Sequence, residues 1–489
     1  MVDTLRQKAT SGVVWSAFER FGQQGCVFVV QLVLARLLAP EEFGLIAMVV
    51  VFIAICTVLI DAGFSRALVQ RKEVTDSDLS TVFYFNLIVS FVVAGILYLS
   101  APVIASFYGF SELSQILRFL SFGLILNALG AVHRSILTRN LLFKKLFWVS
   151  FPSVLISGAL GIAMAYYDFG VWSLVAQSLC MALISSLFLW LYAAWRPSLV
   201  FDVGCLKEMF PYGARLAVSG VLDQGFQNIY VLIIGKVFSP IEVGYFQRAR
   251  AFQQLPVANF QSVLSRVAFP LLSTIQGDPI RMKNAVRKSL LVGALFAFTV
   301  MAGLSAVAEP MVVLLIGDKW LPSVPILQVL CIAGALFPMH SVNTNLLMAM
   351  GRADWFLRLE ILKKLLVVVN VLITYRFGVQ CMVLGIVITS AISLIPNTYY
   401  TRRLIGYTLM MQLRDVLPLA IMAGLMHLLV RVAMGFVPGA LAQLLLGALL
   451  GVCIVALTLR FLGQEVKKEV GLLLSALPLG CQIKRMLIL

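Results

Sequence analysis

The chain has 489 residues, 61% of them hydrophobic and 12% charged, with a mean hydropathy of +0.97 and a formal net charge of +16. Soluble domains carry about a quarter charged residues, so this composition excludes a soluble globular protein and points to a polytopic membrane protein. The 8 cysteines are scattered without a C-x-x-C pair, which supports neither a disulfide framework nor a metal site.

Apolar runs of about 20 residues recur throughout, the length a helix needs to cross a bilayer. In chain order they predict membrane-spanning helices over 12–35, 43–62, 80–100, 116–136, 147–166, 171–194, 211–236, 243–270, 288–308, 322–349, 355–375, 379–400, 414–434 and 439–460. A membrane barrel would show strict alternation instead. The first segment contains Glu19 and Arg20 and lacks a small-residue cleavage site, so it is expected to be a retained span. The eighth is polar, with "RARAFQQL" at 248–255 and Asn259, Gln261 and Arg266 beyond it.

Loop charge argues that the eighth segment crosses. With the N-terminus in the cytoplasm, the even-numbered connections hold Arg66, Arg71 and Lys72; Arg139, Lys144 and Lys145; Arg196 and Lys207; Arg281, Lys283, Arg287 and Lys288; and further cations around 352–364 and 402–414. The odd-numbered connections hold Arg36, Lys236, Lys319 and Arg376. Positive charge gathers on the cytoplasmic side of membrane proteins, and removing the eighth span would invert every later cationic loop. Both termini are then expected in the cytoplasm. The net charge reads as topology and contact with anionic membrane lipids, not as nucleic-acid binding.

An internal repeat gives independent support. "ARLLAPEEFG" (35–44) and "GKVFSPIEVG" (235–244) align Arg36 with Lys236, Pro40 with Pro240, Glu42 with Glu242 and Gly44 with Gly244, all 200 residues apart. "YDFGV" (167–171) and "YRFGV" (375–379) repeat at 208. The expected fold is therefore an all-α polytopic membrane protein of about fourteen transmembrane helices. Two homologous six-helix bundles, 1–200 and 201–405, surround a central cavity, two further helices occupy 406–465, and 466–489 form a cytoplasmic tail. Parallel repeats of this kind meet at a midplane site in alternating-access transporters.

A charge at membrane depth is expensive and should face protein or water. On the eighth helix Gln247, Arg250, Gln254 and Gln261 share one face by helical spacing, whereas Arg248 points elsewhere. The first helix carries Arg20, Gln24 and Gln31, and the seventh Arg215, Asp223 and Gln227. These ten residues are the candidates for lining a net-cationic cavity. Arginine suits a diphosphate through bidentate hydrogen bonds, and amides suit sugar hydroxyls. The competing reading is that they pair within a bundle, Arg20 with Asp223 for instance, and only fix packing. Asp61, Arg71 and Lys72 mark a candidate cytoplasmic entrance or gate. No catalytic or metal-binding constellation emerges; His133, His340 and His427 stand apart, and no Walker A sequence is present.

Several segments resemble the polysaccharide transporter branch of the multidrug/oligosaccharidyl-lipid/polysaccharide flippase superfamily, and colanic-acid exporters within it. They are "SGVVWSAFERFG" (11–22), "DAGFSRALVQRKE" (61–73), "RVAFPLLSTIQGD" (266–278) and "IGDKWLPSVPILQVLC" (316–331). The resemblance implies a non-enzymatic flippase in the bacterial inner membrane. Its cargo would be an undecaprenyl-diphosphate-linked oligosaccharide carried to the periplasmic leaflet, with a polysaccharide polymerase and export machinery as candidate partners. It implies no cofactor beyond H+ or Na+ coupling, for which no residue matches a transferable pattern. Trp320 of "GDKW" is expected as an interfacial anchor. Two alternatives remain: a small-molecule exporter on the same scaffold, and a membrane polysaccharide polymerase or glycosyltransferase, which the short outer connections disfavour.

Overall fold

The computed structural model describes residue 15 and residues 22–461, except positions 62, 66, 67, 69, 70, 72 and 73. Among these residues every regular element is helical. The chain divides between Gly244 and Tyr245 into two compact units. The first contains α1 (Gly22–Leu37), α2 (Pro40–Asp61), α3 (Asp76–Tyr108), α4 (Glu112–Arg139), α5 (Phe143–Tyr166), α6 (Val171–Tyr192), α7 (Val203–Gln227) and α8 (Ile229–Val237). After α9 (Pro240–Thr274), which starts just before the division, come α10 (Pro279–Ala306), α11 (Ala308–Ile316), α12 (Ser323–Ala335) and α13 (Phe337–Ala349). The chain continues through α14 (Ala353–Thr374), α15 (Val379–Ile405), α16 (Leu409–Met434) and α17 (Ala440–Phe461).

Of the first expected segment, 12–35, residues 12–14 and 16–21 lie outside the described residues; among the described residues nine stretches are long and apolar enough to cross a membrane: α2 to α6, α10, α12 with α13, α15 and α16. α1 and α17 are shorter apolar helices, and α7, α9 and α14 are more polar. The protein is a multi-pass helical membrane protein. Side chains such as Leu99 and Leu191 stand exposed along its helices, as a hydrocarbon solvent requires.

Local chemistry sets the helix ends. Thr75 and Asp78 form a reciprocal capping box at the start of α3, and Asp202, Asp278 and Thr408 accept backbone N–H groups at the starts of α7, α10 and α16. Two expected spans are broken. The segment 211–236 begins earlier, as α7, and is interrupted at Asn228, whose amide donates to the Gln224 carbonyl at 2.9 Å and competes with the backbone ladder. The segment 322–349 breaks at Leu336 because Pro338 cannot donate the hydrogen bond that would continue it. The connection expected near 309–321 is also not an open loop: it forms α11 and a 3-10 turn, Asp318–Trp320.

In the first unit α3, α4, α5 and α6 pack as neighbours, and α2 lies against α4 and α7. Small residues permit close approach, as in other membrane bundles: Gly158 faces Val30, and Gly130 faces Leu189 and Ser186. The two copies of the Pro-x-x-x-Gly repeat touch each other. A Cβ at Gly44 would overlap the Pro240 carbonyl, and one at Gly244 would overlap the Pro40 carbonyl. In the second unit α10 packs against α12, α13 and α16, with Leu290, Phe298, Met339, Leu346 and Leu419 in the core.

Candidate functional site

The polar residues of α9 separate as helical spacing predicts. Gln247 and Arg250 are half-buried, and Gln254 and Gln261 are exposed. Arg248, on another face, is buried, with its guanidinium carbon 5.2 Å from the centre of the Trp320 ring. Tyr245 meets the same indole edge-on at 6.2 Å. Trp320 is 0% exposed, which overturns its expected role as an interfacial anchor. The 3-10 turn following α11 directs the indole inward, where a cation over an aromatic face is favourable.

On α7, Arg215, Asp223 and Gln227 are exposed; on α1, Gln24 and Gln31 are half-buried. Arg20 and Lys72 lie outside the described residues. Among the candidate entrance residues, Asp61 closes α2, its Oδ1 accepting the Ser65 N–H at 3.2 Å. Arg71 is a knot: Nη2 donates to Glu208 Oε2 of α7 at 2.9 Å, and Nη1 lies 3.7 Å from Asp78 Oδ1 of α3. Arg139 of α4 donates to the carbonyls of Leu68 and Arg71 and ties down the same loop. Partial burial works against the Arg71 charge, but Asp78 and Glu208 outweigh it and hold the guanidinium pKa above its ordinary value.

A buried polar ladder in the second unit escaped the sequence reading, in which His340 stood alone. His340 of α13 has Nε2 3.0 Å from Ser390 Oγ and Nδ1 2.7 Å from Asn397 Nδ2, both partners on α15. One turn along, Asn343 and Gln412 of α16 exchange amide hydrogen bonds at 3.0 Å in each direction, and Thr401 donates to Asn343 Oδ1 at 2.7 Å. At the end of the ladder Asp415 accepts two hydrogen bonds from Arg287, at 2.9 Å each, and one from Tyr407 at 2.6 Å. The available signal was spacing: 340 and 343, 390, 397 and 401, and 412 and 415 each fall on one helical face.

The family model described as polysaccharide biosynthesis protein matches residues 33–325. The chain is 28% identical over 357 residues to the teichuronic acid biosynthesis protein TuaB of Bacillus subtilis (strain 168), covering 72% of this chain and 73% of that protein. It is 26% identical over 376 residues to the lipopolysaccharide biosynthesis protein WzxC of Escherichia coli (strain K12), covering 76% of each. In fold it is similar to the lipid II flippase MurJ in an inward closed conformation, with a TM-score of 0.72 at 16% identity over 91% of this chain and 99% of that one.

Proposed function

The chain belongs to the polysaccharide biosynthesis protein family, and from that premise we propose that it is a flippase for a lipid-linked oligosaccharide used in building cell-surface polysaccharide. It carries an undecaprenyl-diphosphate-linked glycan from the cytoplasmic to the periplasmic leaflet of the bacterial inner membrane, and it is a transporter rather than an enzyme. Fourteen spans with both termini in the cytoplasm, arranged as two six-helix bundles and two added helices, provide the scaffold for alternating access.

The observation that carries this reading is the exposure of Arg215, Gln227, Gln254 and Gln261. Polar groups on membrane helices that are not packed against protein need water, so these faces are suited to a hydrated passage. Arg250 lies on the α9 face with Gln254 and Gln261 and supplies a cation for the diphosphate. Movement of H+ or Na+ down its gradient is the proposed drive, and a polymerase the proposed recipient of the cargo.

The test uses a strain lacking this protein. Intact spheroplasts are probed with an impermeant lectin against the lipid-linked glycan. Glycan that is made but shielded until the membrane is opened, with access restored by the wild-type gene, is the expected result. Glycan already exposed without the protein would remove translocation from its role.

A further inference from the structure

The buried ladder holds an ionisable group well inside a stretch long and apolar enough to cross a membrane. His340 lies nine residues before the end of α13 at Ala349, about 14 Å at a rise of 1.5 Å per residue. Its partner Ser390 lies in the middle of α15. An intramembrane histidine with both ring nitrogens engaged is a functional feature by default, because the bilayer interior penalises every polar group it holds.

The hydrogen bonds define the present protonation state. Asn397 Nδ2 donates, so Nδ1 accepts and Nε2 carries the hydrogen toward Ser390 Oγ: the imidazole is neutral. A charged imidazolium requires two acceptors. Ser390 Oγ is one. The other is already in place, because Asn397 is 0% exposed and its Oδ1 is a buried oxygen with no hydrogen-bond partner among the described residues. Rotation of that amide by half a turn would set Oδ1 against Nδ1 without moving the backbone. A histidine that only cements helices needs its partners in one state; this one has partners for both.

We propose that His340 is a proton-binding site inside the second unit, switched by rotation of the Asn397 amide. The proton comes from bulk water and forms an N–H bond at the Nδ1 lone pair, and the amide oxygen turns to accept it. No other bond is made or broken. Ionisable groups also stand on the neighbouring helices. On α14 they include Lys363 and Glu360, which pair at 3.0 Å. From α12 the ionisable group is Cys331, and on α10 the charged residues lie within Arg281–Lys288 near its start. On α15 the ionisable groups are Cys381 near one end and Tyr399, Tyr400, Arg402 and Arg403 near the other. On α16 they are Arg414 and Asp415 near the start, beyond Gln412, and His427 and Arg431 further along.

The experiment uses full-length protein in nanodiscs, labelled with 15N-histidine and containing no glycolipid, so its outcome is independent of the flippase reading. The sequence has 3 histidines, and His340→Gln assigns the signal. Between pH 8 and pH 4 the wild-type His340 signal should pass from the neutral Nε2–H tautomer to imidazolium. Asn397→Leu should abolish the conversion or move it to lower pH by about one unit or more. If that variant does not fold, Asn397→Asp supplies the test, since a carboxylate beside Nδ1 should move the midpoint to higher pH. A wild-type signal that stays neutral throughout, or a midpoint indifferent to position 397, would overturn the proposal.

Discussion

Arg248 and Arg250 are two positions apart on α9 and occupy different environments. Arg248 is enclosed beneath Trp320, whereas Arg250 is half-buried on the polar face. Arg250→Ala should leave membrane abundance unchanged and lower glycan export by about tenfold or more, the loss of one charge-assisted contact of roughly 1.5 to 3 kcal/mol. Immunoblotting alongside export in the deletion strain reads both quantities, and normal export at native expression would remove Arg250 from the diphosphate site. Trp320→Ala should act through stability, at a cost of about 3 to 5 kcal/mol for a fully buried indole, read as a lower unfolding midpoint in detergent. The spacing of Gln247, Arg250, Gln254 and Gln261 made their shared face legible in the sequence, because helical periodicity acts locally. The burial of Trp320 was not legible. It depends on a short helix and a 3-10 turn folding an outer connection back onto α9, and loop length alone does not encode that.

At the scale of elements, the ends of helices were written in the sequence more clearly than their interruptions. Thr75, Asp202 and Asp278 are ordinary capping residues, each followed by a helix. The breaks at Asn228 and Leu336 fell inside continuous apolar runs, where hydropathy averages over a single amide or proline. The short 406–408 connection between α15 and α16 is fastened by Tyr407, whose hydroxyl donates to Asp415. Burial first, and then the Asp415 carboxylate, hold the phenol pKa above its ordinary value. The folded pKa thus exceeds the unfolded value of about 10, so the phenol's contribution is whole below about pH 10 and is lost as pH rises beyond it. Tyr407→Phe should cost about 1 kcal/mol at neutral pH and weaken the alkaline decline in the unfolding midpoint between pH 8 and pH 11. An alkaline decline identical to that of the wild type would assign the effect to other groups.

For the molecule as a whole, the decisive sequence signal was charge asymmetry between alternate connections, which reports sidedness without reference to packing. It also fixes a measurable expectation. In a chain whose native cysteines are replaced by serine, Ser239→Cys should react with an impermeant thiol reagent added outside, and Gly277→Cys only after the membrane is opened. The reverse pattern would invert the orientation, and labelling of both positions from the same side would remove the crossing of α9. The ladder from Ser390 to Asp415 was not legible at this scale, because its seven groups on α13, α15 and α16 become partners only after those helices are assembled.

The contact between the two copies of the repeat carries a historical consequence. Gly44 meets the carbonyl of Pro240, and Gly244 meets that of Pro40. Such reciprocity is the mark of a twofold axis, the relation that two identical subunits adopt in a symmetric dimer. A half-length ancestor carrying one copy of Pro-x-x-x-Gly could have made this contact with a second copy of itself, and duplication followed by fusion would have preserved it within one chain. The obstacle at each glycine is a backbone oxygen, which no compensating side-chain substitution removes. Gly44→Ala combined with Gly244→Ala should depart from the sum of the single effects, as contacting positions do.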